Sequence, residues 1–270
     1  MEKWRRSERM VLLTKELLDR PNYLFPLGDF SERYQAAKSS ISEDLAIIKD
    51  TLQQTGQGDL VTVAGVAGGV KFLPYENVDR EEAIIRQLAQ KLSDPSRILP
   101  GGFIYMLDVI YDPYMLSQIG KIFARRFAHC QPDYIVTVET KGIPMGAMTA
   151  QAFDVPLVII RNDSRVTEGS AVSINYVSGS SHKISTMTLA RRAIKPGSKV
   201  IIIDDFMKAG GTAKGMVELM HEFKAEVQGI GVLISTAEPE EKLVGEYLSL
   251  LELVEVDQAA GVINIHSTLR

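Results

Sequence analysis

The densest chemistry in this 270-residue chain lies in twelve consecutive positions, Ile201-Ile202-Ile203-Asp204-Asp205-Phe206-Met207-Lys208-Ala209-Gly210-Gly211-Thr212. Residues 200–203 are apolar throughout, the pattern of a parallel strand buried on both faces. Two carboxylates stand at the C-terminal end of that strand, where open α/β sheets bind their ligands. Ionised, Asp204 and Asp205 are pure acceptors, suited to the two donor hydroxyls of a ribose diol. Across Ala209, Gly210 and Gly211 the backbone N–H groups can close on a phosphate, because neither glycine has a Cβ to block the approach. Thr212 adds a hydroxyl where a helix begins, and a helix N-terminus favours an anion. Lys208 adds a positive charge beside the turn, and Phe206 lies between the acids and the loop. A nucleotide P-loop is excluded, since Gly210 and Gly215 are followed by Met216-Val217 rather than Lys-Ser or Lys-Thr. No Gly-x-Gly-x-x-Gly follows a strand, which removes a dinucleotide site.

These residues need a sheet and helices to hold them, and the chain after Pro74 supplies the pattern. Apolar runs at 134–138, 156–160, 199–203 and 229–234 read as strands, and 118–128, 142–153 and 212–223 read as helices. Continuous apolar strands between helices predict a parallel sheet covered on both faces. Residues 163–186 break the pattern with a polar, Ser/Gly-rich stretch, which reads as a functional loop.

Before Pro74 the grammar differs. Met10, Leu13 and Leu17 mark one face of a helix over 7–18. After a loop punctuated by Pro21, Pro26 and Gly28, Asp29 is placed to cap a short helix running to about Lys38. A third helix is expected to open at Ser39 and Ser40, with capping-box spacing over Ser40-Ile41-Ser42-Glu43 and a buried stripe of Ile41, Leu45, Ile48 and Leu52. Runs at 60–64 and 70–73, joined by Gly65-Val66-Ala67-Gly68-Gly69, read as a hairpin. Three helices and a hairpin in 74 residues is the winged helix-turn-helix order. The expected architecture is therefore α/β, with a winged-helix DNA-binding domain over 1–74 and a parallel-sheet domain over 75–270. In such domains the N-terminus of the third helix faces the major groove, which nominates Lys38, Ser39, Ser40 and Ser42. Arg33 and Tyr34 on the second helix, with Arg5, Arg6 and Lys71, are candidates for phosphate contacts. Glu43 and Asp44 would repel phosphate and are expected to face away from DNA.

Composition neither supports nor opposes a nucleic-acid partner. Net charge is −4 over the chain, and residues 1–74 balance ten Lys and Arg against ten Asp and Glu. Locally, though, residues 1–15 carry five basic side chains against two acidic ones, enough for an arm that meets phosphates. No apolar run reaches the roughly 18 residues of a membrane span, and no apolar segment follows the charged start, so neither membrane nor export is expected. The single cysteine, Cys130, rules out an intrachain disulfide and suits a reducing cytoplasm. No cluster of His, Cys, Asp and Glu has metal-binding spacing, so no metal site is expected.

The string 201–212 resembles the phosphoribosyl pyrophosphate (PRPP) signature of type I phosphoribosyltransferases. The resemblance implies that the acids hold ribose hydroxyls and the Gly-Gly-Thr loop the 5′-phosphate. Glu139-Thr140-Lys141-Gly142-Ile143-Pro144, directly after a strand, resembles that family's pyrophosphate loop, implying roles for Thr140, Lys141 and Gly142. Residues 163–186 resemble its flexible loop, which closes over PRPP. Further strings, Lys38-Ser39-Ser40-Ile41-Ser42-Glu43-Asp44-Leu45, Thr167-Glu168-Gly169-Ser170 and Asn175-Tyr176-Val177-Ser178-Gly179-Ser180, make the chain resemble the purine repressors of Gram-positive bacteria over about residues 3–255. That resemblance implies a homodimeric repressor of purine biosynthesis and transport genes that binds operator DNA and senses PRPP without transferase chemistry. PRPP is implied as the inducer, arriving with any Mg²⁺ it needs, and (p)ppGpp as a competitor that maintains repression. An active purine phosphoribosyltransferase is the alternative, but it leaves residues 1–74 without a purpose.

Overall fold

The structure, a computed structural model, describes residues 4–65, 68–74, 77–163, 169–177 and 184–269. Met1–Val78 with Gln151–Asp154 form one compact unit, and Asp79–Ala150 with Val155–Arg270 the other.

The first unit contains α1 (Arg6–Asp19), α2 (Leu27–Arg33), α3 (Lys38–Gln54) and an antiparallel hairpin of β1 (Asp59–Val63) and β2 (Gly69–Leu73). Helical spacing puts Leu13 and Leu17 of α1, and Ile41, Leu45, Ile48 and Leu52 of α3, into one core with Phe30 and Phe72. Each such side chain contributes roughly 1.5–3 kcal/mol on burial. Phe25 adds a further rung to the hairpin, exchanging two backbone hydrogen bonds of 2.9 Å with Val70.

Two expected helix starts shift. α3 begins at Lys38 with Ala37 as its N-cap, and no side chain caps it. The Ser40 capping box does not form. Ser42 instead donates its hydroxyl to the Lys38 carbonyl at 2.9 Å, one turn back. Asp29 lies inside α2, whose N-cap is Pro26.

The second unit is built on a six-stranded sheet in the order β12-β11-β10-β9-β5-β6. Its strands are β5 (Tyr134–Val138), β6 (Leu157–Ile160), β9 (Lys199–Met207), β10 (Glu226–Thr236), β11 (Leu248–Asp257) and β12 (Val262–Ser267). All neighbours are parallel except β11 and β12. Helices α6 (Pro113–Arg126), α7 (Gly142–Phe153) and α8 (Gly211–Glu222) accompany the sheet. Val200, Ile202, Val136 and Val232 lie in one core with Met216 and Leu219 of α8.

Helix α4 (Val78–Leu92), the two-residue strands β3 (Ile98–Leu99) and β4 (Phe103–Ile104) and the short helix α5 (Leu107–Ile110) precede α6. Glu81 of α4 is fully buried and held by Arg125 and by Arg126, whose Nε donates at 2.7 Å.

The polar insertion is more ordered in pattern than its composition implies. β7 (Ala171–Val177) and β8 (Ile184–Ala190) form an antiparallel hairpin, with register from Ala171↔Ala190 to Val177↔Ile184. The expected loop is therefore two strands, whose apolar residues Val172, Ile174 and Tyr176 pack on the core while the residues between them face outward. Residues 164–168 and 178–183 of that stretch lie outside the described residues.

Candidate functional site

Sheet order explains where the cleft opens. β5 sits between β6, which follows it in the chain, and β9, which comes later on its other side, so the strand order reverses there. Such a switch point leaves a crevice outside the carboxyl ends of the strands. β5 and β9 pair only from Tyr134↔Val200 to Val136↔Ile202 and then part. Beyond that point β9 continues to Met207, further than the apolar run implies, because β10 still pairs with it through Ser235↔Met207. The acids therefore stand on a strand with one side open rather than in the turn.

A cavity of about 670 Å³ fills the opening, lined by Val138 at the end of β5, residues 139–142 that follow it, Asp204, Asp205 and Phe206 on β9, and Thr212 of α8. Seven of the residues expected from sequence thus come together: Thr140, Lys141, Gly142, Asp204, Asp205, Phe206 and Thr212. Lys208, Ala209, Gly210 and Gly211 line a small adjoining pocket of about 60 Å³ that shares Asp204, Phe206 and Thr212.

Asp204 is 6% exposed, and its Oδ1 accepts the Asp205 backbone N–H at 3.0 Å. Burial pushes its carboxyl well above the ordinary Asp range, and the neighbouring Asp205 charge pushes the same way. Burial also raises Asp205, opposed by hydrogen bonding with Asp204 and by the positive charge of Lys141. Two desolvated carboxylates facing an open cleft are acceptors waiting for donors.

Gly142 shows how closely the two loops approach. A Cβ there would lie 2.2 Å from Thr137 Oγ1 and 3.0 Å from Asp204 Oδ1. Gly142→Ala is expected to destabilise this unit by about 1–3 kcal/mol through overpacking and to displace the Asp204 carboxylate. Thermal unfolding and ligand calorimetry read the two effects; an unmoved Asp204 site would leave binding intact. Gly210 serves differently. Its φ of 82° is left-handed, which turns the loop into α8 without a Cβ penalty.

Sequence reasoning missed several lining residues: Glu139, Asn162, Tyr176, Ile184, Ser185 and Thr186. Glu139 accepts the Asn162 backbone N–H at 2.8 Å and pairs with Arg161 at 3.3 Å, tying the loop after β5 to the end of β6. Arg161 in turn exchanges backbone hydrogen bonds with Thr188 of β8, which anchors the hairpin beside the cleft. Glu139 lies in the string 139–144, and Tyr176, Ile184, Ser185 and Thr186 lie in the stretch 163–186 expected to be a functional loop, though none is singled out there; Asn162 lies outside every such string.

In the first unit Lys38 and Ser39 are exposed, Ser40 is half-buried and Ser42 is exposed, all in the opening turns of α3. With no side-chain cap, the first amides of that 17-residue helix are free to meet an anion. Arg5 is exposed at the start of α1, and Lys71 is half-buried on β2. Arg33 is exposed but paired with Glu16. Arg6 reaches back to Asp44, its Nε donating to Oδ1 at 2.9 Å. Tyr34 must be corrected: it is 4% exposed, donates its hydroxyl to Glu16 and stacks on Phe30 with centroids 6.2 Å apart. An aromatic ring committed to the core in this way does not contact a phosphate backbone. Asp44 is fully buried and paired with Arg9 of α1, whereas its neighbour Glu43 is exposed.

Comparison with known proteins agrees with both units. Residues 5–74 match the N-terminal domain of the bacterial purine repressor, and 106–264 match the phosphoribosyl transferase domain. The chain is 53% identical over 265 residues to the purine biosynthesis transcriptional repressor PurR of Bacillus subtilis (strain 168), covering 98% of this chain and 93% of that one. It is 41% identical over 261 residues to the purine biosynthesis transcriptional activator PurR of Lactococcus lactis subsp. lactis (strain IL1403), covering 97% and 96%. Adenine phosphoribosyltransferase of Saccharomyces cerevisiae shares the fold of the second unit, with a TM-score of 0.54 and 22% identity over 62% of this chain and 98% of that one. Matched nearly end to end, with both domains present, the chain belongs to the bacterial purine repressor family.

Proposed function

We propose that this protein is a transcriptional repressor of purine biosynthesis and transport genes that is released from operator DNA by PRPP. As a member of its family it is a regulator of purine biosynthesis. The observation that carries the finer reading is the pairing within one chain of an uncapped, exposed helix start on a winged helix with a cleft made of two carboxylates and a glycine loop. The carboxylates fit the ribose diol, the loop 208–212 fits the 5′-phosphate, and Thr140, Lys141 and Gly142 fit the pyrophosphate. The cleft acts as a sensor rather than a transferase, with Mg²⁺ entering on the ligand. Guanosine tetraphosphate carries two pyrophosphate groups on a ribose and competes for the same acceptors and amides. The working unit is a homodimer in the cytoplasm. PRPP shifts the equilibrium only as far as its affinity differs between the DNA-bound and free states.

Labelled purine-gene promoter DNA at fixed salt, titrated with PRPP and with guanosine tetraphosphate, tests this. PRPP is expected to lower DNA affinity, and guanosine tetraphosphate to leave the complex intact while moving the PRPP curve to higher concentration. No sequence-preferring complex would end the repressor reading. An unmoved complex under saturating PRPP would end the inducer reading, and nucleotide formed from base plus PRPP would make the cleft catalytic.

Lys38→Glu separates the two ends of the switch. It is expected to weaken promoter binding about tenfold or more and to lower the salt slope by roughly one, with PRPP affinity within twofold of the unsubstituted protein. Equal loss of both would place Lys38 in general stability instead.

A further inference from the structure

The loop 208–212 can present its amides to a phosphate only if its carbonyls are turned elsewhere, and the structure shows where they go. The Gly210 carbonyl accepts from Lys214 N at 2.9 Å within α8. The Ala209 carbonyl accepts from Leu243 N, also at 2.9 Å. The Lys208 carbonyl lies 3.3 Å from the Thr236 hydroxyl, whose single proton has the closer acceptor Glu238 O at 2.6 Å. Residues 236–243 therefore form a strap behind the loop. A Cβ built on Gly210 would sit 3.3 Å from Leu243 N, so the strap lies directly against the turn.

What gives the strap its shape is one side chain. Lys242 Nζ donates to the Thr236 carbonyl at 2.7 Å and the Pro239 carbonyl at 2.5 Å, with Thr236 Oγ1 at 3.4 Å. Its donors are spent on the strap's own backbone, and it lines neither the larger cleft nor the small pocket. Burial lowers its pKa, opposed by Glu252 and Glu238.

We propose that Lys242 is the positioning residue of the phosphate loop: by gathering the Thr236 and Pro239 carbonyls it places the Leu243 amide that turns Ala209 outward and leaves the loop amides facing the ligand. This rests on the reading of the loop as the seat of a sugar phosphate. The loop 139–142 lines the larger cavity and not the small pocket that residues 208–211 line, so the two arms of the ligand respond differently.

The test compares the full chain with Lys242→Met and Lys242→Arg, using ribose 5-phosphate and inorganic pyrophosphate as separate probes in calorimetry. Lys242→Met is expected to weaken ribose 5-phosphate about tenfold or more while changing pyrophosphate less than twofold. Lys242→Arg, which can still donate to both carbonyls, is expected to recover most of the loss. Equal weakening of both probes, or no weakening of either, overturns the proposal. If the unsubstituted protein binds neither probe, the site reading itself fails. Should Lys242→Met not fold, amide exchange on the unsubstituted protein decides: the Leu243 amide is expected to be protected and to gain protection with ribose 5-phosphate. Exchange at the rate of an open loop overturns the role.

Discussion

Replacing Asp204 by Asn is expected to weaken PRPP binding roughly ten- to hundredfold and, at the same time, to stabilise the unliganded second unit. The first effect follows from the acceptor. Hydrogen bonds to a charged group are worth about 1.5–3 kcal/mol each, and the amide replaces one charged oxygen with a donor facing another donor. The second follows from burial. Asp204 is nearly inaccessible and lies beside a second carboxylate, so its folded pKa stands above its unfolded value. A group raised in this way contributes stability that is present below the unfolded pKa and lost as pH rises through the folded one. Asp204's own contribution to stability therefore falls as pH climbs from about 4 upward, and Asp204→Asn, which does not titrate, is spared that loss. Its thermal midpoint is expected to draw ahead of the unsubstituted protein across that window, while promoter-bound Asp204→Asn resists release by PRPP. Normal PRPP-induced release, or a variant no more stable at neutral pH, would remove Asp204 from this role.

How much of this was legible depended on whether the signal was local. The stripe Ile41, Leu45, Ile48 and Leu52 and the strand entering Asp204 are runs of neighbours, and each formed where the pattern placed it. The start of α3 was misplaced because Ser40 has the right spacing for a capping box, whereas the turn from α2 brings the chain into the helix at Lys38. Tyr34 looked exposed beside Arg33, but its ring completes a stack with Phe25 and Phe30 that only the tertiary core reveals. The β7–β8 hairpin was hidden by composition: its serines suggested a loop, while the period-two alternation of Val172, Ile174 and Tyr176 carried the strand. In the cleft the contiguous acids and glycines were readable, since strand, turn and helix follow one another in sequence. Asn162 was not, and Ser185 and Thr186 only as part of the loop 163–186, because the crossing from β6 to the hairpin and back to β9 is what brings these residues to the acids.

The winged helix is expected to lose more stability from Asp44→Ala than from any exposed substitution on it. Asp44 Oδ2 accepts from Arg9 Nε at 2.6 Å and Oδ1 from Arg6 Nε at 2.9 Å, joining α1 to α3. Arg9 is itself buried, so truncation strands a guanidinium without a counterion, at a cost of about 3–5 kcal/mol. In a domain of this size that is roughly 15–30 °C in midpoint. Arg6 is half in solvent, and its pair with Asp44 contributes little by itself. The charge is not required for stability as such. Combining Asp44→Leu with Arg9→Met replaces the pair by apolar groups of similar size and is expected to recover most of the loss. Recovery of fold should not bring full recovery of function, because Arg6 then keeps only the exposed Glu43, 3.8 Å away, to hold it beside the start of α3. The double variant is accordingly expected to melt near the unsubstituted midpoint yet bind promoter DNA several-fold more weakly, with PRPP affinity unchanged. Full DNA affinity in that variant would show that the buried pair serves packing alone.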